Sequence, residues 1–328
     1  MNEFAYTRAD NVAAAITAGS ASGTKYLGGG SNLIDLMKYD VEKPSALVDV
    51  TRLPLDKIEE VPGGGLRIGA IVRNTDLANH PLVRERYTAL SSAILQGATQ
   101  QLRNMATTGG NLMQRTRCYY FYDATAPCNK RVPGSGCSAI NGYNRIHAIL
   151  GQSNSCIATH PSDMCVAMAA FDAVIRVQGA GGERTIPIAD FHRLPGDTPQ
   201  FDTNLKPGEL ILAVDLPPIP YGKGSQYLKV RDRASYAFAL VSVACAIDVS
   251  GGTVREARIA LGGVAHKPWR AEAAEAYLKG KPANVETFRK AAEAELKPAR
   301  GYEHNKFKIE LAKRSLVRAL VDVMGGPA

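Results

Sequence analysis

The sequence predicts an α+β protein with more than one structural unit. Short helical and strand-like segments alternate quickly in its N-terminal part, whereas the C-terminal third places a run of strands before a run of helices. The 328 residues are 45% hydrophobic and 21% charged, which is ordinary for a globular protein. A chain of this length is sufficient for two or three compact units.

The N-terminal part begins with a helix, a strand and a glycine-rich turn. Asp10 is the predicted N-cap of a helix over Asn11–Ala18. The strand Lys25–Leu27 runs into the turn Gly28–Asn32, and the helical segment Leu33–Lys38 follows. Later strands are predicted at Ala46–Val50 and Gly65–Ala70, and later helices at Thr75–Ala78 and Tyr87–Gln101.

Residues 112–156 interrupt this alternation of helices and strands because they show neither helical nor strand periodicity. They are rich in Cys, Tyr, Pro, Gly, Asn and Arg. A structureless segment this long inside a compact domain needs some support other than a hydrophobic core, and a bound metal cluster would supply it. Helical spacing returns at Ser162–Val174 and strand spacing at Ala173–Val177.

A second boundary is predicted in the proline- and glycine-rich link Leu216–Gly224, dividing the chain into residues 1–216 and 217–328. The segments that follow indicate an antiparallel sheet and then helices. The predicted strands are Gln226–Arg231, Ala237–Val249 and Val254–Leu261, and the predicted helices are Arg270–Leu278, Val285–Ala294 and Lys306–Val323.

The charge pattern excludes several classes of function. The net charge is +8, but basic and acidic residues are interspersed without a basic stripe, so we expect no nucleic-acid partner. An anionic cofactor or an acidic partner surface fits this balance better. No run of about 18 apolar residues occurs, so no membrane span is expected. The N-terminal residues lack the features of a signal peptide.

Two glycine-rich turns are candidate anion-binding sites. Gly28–Asn32 lies between a strand and a helix, where successive backbone N–H groups form an anion-binding concavity. Alone it could equally be a tight turn without a ligand. A second turn, Ala106–Asn111, also joins a helical stretch to the next element. Together the two turns suit a dinucleotide diphosphate held from two sides.

Four cysteines, Cys118, Cys128, Cys137 and Cys156, fall within the irregular segment. Zinc fingers and ribbons favour closely paired cysteines, which are absent here. Wide spacing suits a [4Fe–4S] cluster, although four incidental thiols remain an alternative. Arg115, Arg117, Lys130, Arg131 and Arg145 would offset the charge of the cluster, and Gly134, Ser135 and Gly136 would direct N–H groups at sulfur.

The other candidates have simpler interpretations. Cys165 and Cys245 lie in apolar segments and are expected to be buried small side chains. The six histidines form no metal-spaced pair and are each expected at the surface or in local hydrogen bonding. The aromatic run Tyr119–Tyr122 is expected to shield the cluster from water.

Five ordered segments resemble the FAD subunits of the xanthine oxidase family, which include medium subunits of carbon monoxide dehydrogenases and bacterial aldehyde oxidoreductases. These segments are 28–38, 66–70, 103–111, 160–163 and 262–270. The cysteine-rich insert is similar to that of the [4Fe–4S]-containing FAD subunits of periplasmic aldehyde oxidoreductases. The flavin subunit of 4-hydroxybenzoyl-CoA reductase is the alternative within the family.

The resemblance implies a two-subdomain FAD-binding fold of the vanillyl-alcohol oxidase/CO dehydrogenase flavoprotein type over 1–216, a [4Fe–4S] insert at about 112–158, and a CO dehydrogenase flavoprotein-like domain over 217–328. His160 is expected to line the flavin site. The FAD-binding residues it implies are Lys25, Tyr26, Leu27, Gly28, Gly29, Gly30, Ser31, Asn32, Leu33, Thr107, Thr108, Gly109, Gly110, Asn111, Ser162, Asp163, Ile211 and Lys229.

The implied activity is electron transfer within an aldehyde oxidoreductase, with no residue of this chain acting on the aldehyde. The expected partners are a large subunit with a molybdenum–pterin cofactor and a small [2Fe–2S] subunit in a heterotrimer, together with an external electron acceptor. The expected location is the periplasm after export with a partner, with the cytoplasm as the alternative. A non-catalytic zinc-binding module is the alternative of a different class.

Overall fold

The computed structural model describes residues 1–325. Its strands are β1 (Ala5–Arg8), β2 (Thr24–Leu27), β3 (Ala46–Asp49), β4 (Ile58–Val61), β5 (Gly65–Gly69), β6 (Val174–Gly179), β7 (Gly182–Pro187), β8 (Leu210–Leu216), β9 (Gln226–Val230), β10 (Val241–Ser250), β11 (Thr253–Gly262) and β12 (Trp269–Arg270). Its α-helices are α1 (Val12–Gly19), α2 (Leu33–Lys38), α3 (Asn74–Asn79), α4 (Pro81–Arg86), α5 (Thr88–Leu95), α6 (Gln100–Met105), α7 (Thr108–Leu112), α8 (Tyr119–Tyr122), α9 (Asp163–Ala170), α10 (Ile188–Phe191), α11 (Glu272–Leu278), α12 (Val285–Leu296) and α13 (Phe307–Val323).

The first subdomain is a small parallel sheet with strand order β1-β3-β2. The helix α1 connects β1 to β2, and its buried side chain Ile16 packs with Val48 and Val50. The N-cap of α1 is Asn11, whose Oδ1 accepts a hydrogen bond from the N–H of Ala14 at 2.9 Å. The prediction of Asp10 as the cap was therefore wrong by one residue.

The second subdomain is an antiparallel sheet with strand order β4-β5-β8-β6-β7, covered by α3, α5 and α9. The sequence predicted one helix over Tyr87–Gln101, but the structure has two, α5 and α6. Ala98, between them, has a φ of 52°, which is incompatible with a right-handed helix. Thr99 then caps α6 by accepting the N–H of Leu102. The prediction of a continuous helix was wrong for this reason.

The C-terminal part is an antiparallel sheet with strand order β12-β11-β10-β9. One face carries Val243, Cys245 and Ile259, which pack against α11, α12 and α13. The opposite face contributes Ala244 and Ala260 to the same core as α5 and α9. The sheet therefore packs directly on the second subdomain and holds it in place.

The irregular segment, residues 112–156, packs against the rest of the protein through a small core of its own. Apart from α8 it contains only turns and extended backbone between α7 and α9. Its small core contains Cys118, Phe121, Cys128 and Cys156, together with Leu36 from α2. The expected lack of regular structure is thus confirmed, and the thiols occupy the position of a hydrophobic core. Across residues 1–325, none of the helices combines the length and apolar character needed to cross a bilayer.

Candidate functional site

The two glycine-rich turns lie directly against each other. A Cβ built on Gly28 would lie 2.8 Å from the hydroxyl of Thr107, and one on Gly29 would overlap the carbonyl oxygen of Met105. Both positions require glycine because the turns touch. Close approach of these glycines to a ligand stays a prediction, and the contact between the turns is a second reason for glycine at both positions.

The first turn nevertheless presents a row of free donors. Within the described chain, no acceptor lies within hydrogen-bond distance of the backbone N–H groups of residues 28–32. Gly30 has a φ of 71°, which turns the backbone between β2 and α2. Successive unpaired N–H groups at such a turn form a concavity that suits a phosphate. This turn can hold a diphosphate.

The side chains that flank this turn are fixed by their neighbours. Lys25 lies 3.6 Å from a carboxylate oxygen of Glu42. The hydroxyl of Tyr26 donates to the carbonyl of Gly208 at 2.7 Å, and burial raises the pKa of Tyr26 to about 12. Ser31 is exposed beside the free N–H groups.

The second turn offers side chains rather than backbone donors. The N–H groups of Thr108 and Gly109 are bonded to the carbonyls of Val72 and Ala70, at 2.9 and 2.8 Å. The N–H of Gly110 donates to Thr107 Oγ1 at 3.1 Å. These backbone donors are therefore used within the turn and to anchor it to the residues that follow β5.

Asn111 and Ser162 connect the second turn to α9. Ser162 Oγ donates to Asn111 Oδ1 at 2.6 Å and accepts the N–H of Cys165 as the N-cap of α9. Asn111 Oδ1 also accepts from Gln114 Nε2. This leaves the Asn111 Nδ2 group as the donor available to a ligand.

Asp163 and Lys229 form an ion pair with each other. Lys229 Nζ lies 2.8 Å from Asp163 Oδ2 and 3.1 Å from the carbonyl of Gln96, and the Tyr227 hydroxyl donates to Asp163 Oδ1 at 2.5 Å. Burial raises the pKa of Tyr227 well above its ordinary value. Ile211 is buried in β8. The direct flavin contacts of Asp163, Ile211 and Lys229 stay predictions, and the ion pair is a structural link between α9 and β9.

All four cysteines of the insert line one cavity. Cys128 and Cys137 face each other in an isolated β-bridge, while Cys118 and Cys156 approach from the two ends of the segment. Cys118, Cys128 and Cys156 are buried and Cys137 is half-buried. Burial raises the pKa of Cys118 to about 12 and that of Cys156 to about 11. A bound metal cation would supply the charge that turns these thiols into thiolates.

The spacing of the sulfur atoms bears on which metal group the cavity could hold. Tetrahedral zinc with Zn–S bonds of about 2.3 Å places its sulfur ligands about 3.8 Å apart. Among residues 1–325, the one set of three candidate ligand atoms mutually within 4.8 Å is that of His160, Cys165 and His192. No three of the four sulfurs are that close. A [4Fe–4S] cube bonds each thiolate to a different iron and accepts this wider arrangement.

Backbone N–H groups face the sulfurs, but from other residues than the sequence suggested. The N–H of Ala158 donates to Cys156 Sγ at 3.4 Å and that of Ala139 faces the thiol of Cys137, whereas the N–H of Phe121 bonds to the carbonyl of Cys118 at 3.0 Å. The predicted donors were Gly134, Ser135 and Gly136. The Ser135 and Gly136 N–H groups bond instead to the carbonyl of Val132 and to Asn129 Oδ1, so that prediction was wrong for these two.

The five predicted cations are held mostly by ion pairs and hydrogen bonds to neighbouring groups. Lys130 lines it and forms an ion pair with Asp202. Arg115 also pairs with Asp202, at 2.7 Å, and with Glu42 at 2.5 Å. Burial opposes ionisation of Asp202, but Lys130 and Arg115 hold its pKa well below its usual range. The other three have different partners: Arg131 donates to the carbonyls of Tyr120 and Phe121, Arg145 pairs with Asp232, and Arg117 stacks over Phe238.

The aromatic run shields the cavity unevenly. Phe121 is fully buried and lines the cavity, and Tyr120 also lines it. Tyr122 is half-buried and donates to Asp35 at 3.3 Å. Tyr119 is 50% exposed, so it covers the site only at its edge.

His147 is a residue that the sequence interpretation missed. Its Nε2 lies 3.1 Å from Cys118 Sγ, and its side chain is buried. The expectation that each histidine lies at the surface or makes local hydrogen bonds overlooked this contact. No motif predicts it, and its place in the cysteine-rich segment was the available signal.

His160, Cys165 and His192 form a compact set but do not suit a metal. The N–H of Ser162 points at His160 Nδ1 at 3.4 Å, which assigns the lone pair to Nδ1 and the proton to Nε2. His192 Nε2 lies 2.9 Å from the carbonyl of Leu112 and therefore carries the proton of that ring. The set therefore lacks a second free imidazole lone pair, and Cys165 is the buried small residue that the sequence predicted.

Two family models match the chain. The FAD-binding domain in molybdopterin dehydrogenase covers residues 2–219, and the CO dehydrogenase flavoprotein C-terminal domain covers residues 226–323. The chain is 54% identical over 325 residues to the aldehyde oxidoreductase FAD-binding subunit PaoB of Escherichia coli, covering 98% of each. It is 29% identical over 283 residues to the glyceraldehyde dehydrogenase medium chain of Sulfolobus acidocaldarius, covering 86% of this chain and 83% of that one.

A solved structure agrees over the full length. The carbon monoxide dehydrogenase of Hydrogenophaga pseudoflava superposes with a TM-score of 0.77 at 28% identity, covering 100% of this chain and 99% of that one. This confirms the predicted fold of an FAD-binding domain followed by a CO dehydrogenase flavoprotein-type domain. The chain therefore belongs to the FAD-binding medium subunits of the xanthine oxidase family, which are subunits of molybdenum-containing oxidoreductases.

Proposed function

We propose that this chain is the FAD- and [4Fe–4S]-bearing electron-transfer subunit of a molybdenum-dependent aldehyde oxidoreductase. One observation carries the proposal: four cysteines, spread over a segment without its own fold, converge on one buried cavity, and no three of their sulfurs lie within 4.8 Å of one another. The similarity to PaoB over the same length supports an aldehyde as the substrate of the complex.

The residues of this chain bind and orient the cofactor. The free N–H groups of residues 28–32 would hold the FAD diphosphate, and Asn111 Nδ2 would donate from the other turn. Bound FAD supplies the chemistry that links one-electron carriers to a one- or two-electron acceptor. The protein contributes position, burial and electrostatics, and no side chain needs to move a proton to or from the aldehyde.

The cysteine segment connects physically to the proposed flavin site. The N–H of Arg115 donates to Asn32 Oδ1 at 2.9 Å, three residues before Cys118. Leu36, on the helix after the first turn, packs into the small core of the insert. A cluster at the cysteines would therefore fix the geometry of the turn that holds the diphosphate.

The rest of the reaction belongs to partner subunits. A large subunit with molybdenum–pterin would oxidise the aldehyde with water to a carboxylic acid, releasing two electrons and two protons. A small subunit with [2Fe–2S] clusters would pass the electrons to this chain and then to an external acceptor, in a heterotrimer. We propose a periplasmic location on the family resemblance alone, and cell fractionation with an antibody against the complex tests it.

The experiment is analysis of the purified complex and of a Cys137→Ser variant. The proposal predicts flavin absorbance, aldehyde-dependent reduction of an artificial acceptor, and four irons more in the wild type than in the variant. Zinc at one atom per chain in place of that iron would overturn it in favour of a zinc module. Reduction of a hydroxybenzoyl-CoA thioester without aldehyde oxidation would instead identify the chain as the flavin subunit of a 4-hydroxybenzoyl-CoA reductase-like enzyme.

A further inference from the structure

The imidazole of His147 lies against one of the four sulfurs. Its Nε2 is 3.1 Å from Cys118 Sγ, and the two residues are 1% and 7% exposed. In the part of the chain that the structure describes, no other side chain reaches hydrogen-bond distance of the sulfurs of Cys118, Cys128, Cys137 or Cys156. The remaining donors to sulfur belong to the backbone.

The chemistry of the pair decides which nitrogen carries the proton. His147 Nδ1 is buried without a hydrogen-bond partner, so nothing competes for the proton on that side. A thiolate bound to iron is an acceptor only. The neutral imidazole therefore presents Nε2–H to Cys118 and keeps its lone pair on Nδ1.

The main chain on both sides holds His147 in place. Its N–H donates to the carbonyl of Asn144 at 3.0 Å. Its carbonyl accepts from Lys308 Nζ at 2.8 Å and from Asn305 Nδ2 at 3.1 Å. Lys308 and Asn305 are fully buried, at 0% exposure. The C-terminal domain thus fixes the position from which the ring reaches the sulfur.

An N–H directed at a cluster thiolate has a defined electrostatic effect. One-electron reduction adds a negative charge that spreads onto the thiolates, and a fixed N–H dipole stabilises the reduced state more than the oxidised one. The effect is larger in a buried site because solvent screening is weak. No bond is broken in this step, and the proton stays on Nε2.

We propose that His147 is a positioning residue that raises the reduction potential of the cluster by donating a hydrogen bond from Nε2 to Cys118. This inference rests on the proposed function because it requires a cluster at the four cysteines. It identifies a side chain through which the C-terminal domain influences the electronic properties of the insert.

The test uses the full complex with His147→Gln, which keeps an N–H donor on a shorter side chain, and His147→Met, which removes it. Iron and flavin contents are measured first, and the midpoint potential of the cluster is then followed by EPR-monitored redox titration. His147→Met should lower the potential, and His147→Gln should lower it less. The surface variant His304→Gln should leave it unchanged. A fully loaded His147→Met complex with the wild-type potential would overturn the proposal, as would equal shifts in both variants.

A second measurement uses the wild-type protein and tests the role of His147 even if a variant does not incorporate the cluster. In the wild-type complex labelled with ¹⁵N-histidine, pulsed EPR of the reduced cluster should show a nitrogen coupling from an imidazole. A loaded cluster without this coupling would contradict the role of His147. Absence of iron from the wild type would instead contradict the proposed function, so the two failures are distinguishable.

Discussion

Lys308 Nζ donates a hydrogen bond to the main-chain carbonyl of His147 at 2.8 Å, and the same ammonium reaches the carbonyl of Gly263 at 2.6 Å. This single buried side chain on α13 thereby ties the cysteine segment to the turn after β11. Burial lowers the pKa of Lys308 to about 7. The insert is therefore anchored to the C-terminal domain through buried carbonyl groups that accept hydrogen bonds from Lys308.

Replacing Lys308 with Met should destabilise the protein, since it leaves these buried carbonyls without a donor. An unsatisfied buried polar group costs about 1–3 kcal/mol, and we expect a loss of that order in the free energy of unfolding. Urea titration followed by circular dichroism measures it. Lys306→Met, at an exposed neighbouring position, is the control, and equal stability of the two variants would refute the role of Lys308.

Replacing Gly29 with Ala should reduce FAD retention. The new Cβ would overlap the carbonyl oxygen of Met105 and separate the two turns that form the proposed diphosphate site. We expect at least a several-fold loss of bound flavin, measured by absorbance after gel filtration. Gly181→Ala has open space around it and should retain flavin like the wild type. Full flavin occupancy in the Gly29 variant would show that the contact between the turns is not required.

Replacing Cys128 with Ser should remove the cluster, because the site needs all four thiolates. The expected result is loss of iron–sulfur absorbance and of four irons from the complex. Cys245→Ala is the matched control, since Cys245 is a buried cysteine in β10 far from the insert in sequence. Iron loss in both variants would indicate a general folding defect rather than a ligand role.

The sequence predicted the fold class and the convergence of the cysteines better than the local geometry. Helix and strand periodicity located most elements, and the absence of periodicity singled out the insert. The break after α5 was missed although Gly97 and Thr99, a helix-ending and a helix-capping residue type, flank Ala98, the residue with the positive φ. The pairing of Asp163 with Lys229 and the contact of His147 with Cys118 join residues distant in sequence, so no local pattern reveals them.

Acidification should destabilise the folded chain over a defined pH window. Burial lowers the pKa of His192 and that of His266 to about 4, from an ordinary value near 6.5. The unfolded chain therefore binds protons at these imidazoles between pH 6.5 and 4 while the folded chain does not. Their contribution to stability is fully present above pH 6.5, falls with decreasing pH and levels off below pH 4. The loss is on the order of 3 kcal/mol for each imidazole.

Urea unfolding at a series of pH values from 7.5 to 4 measures this decline. His192→Gln should make it shallower whatever its effect on overall stability, because one titrating group is removed. His304→Gln, at an exposed position, should leave the slope unchanged. A wild-type free energy of unfolding that stays flat across this range would contradict the account of buried neutral imidazoles.

Anomalous diffraction from crystals of the complex, with data collected on both sides of the iron absorption edge, tests the central claim most directly. The account predicts an iron signal inside the cavity enclosed by Cys118, Cys128, Cys137 and Cys156, and flavin density against the turn at residues 28–32. A signal that appears only at the zinc edge, or a cavity without any metal signal in crystals with intact flavin, would contradict it.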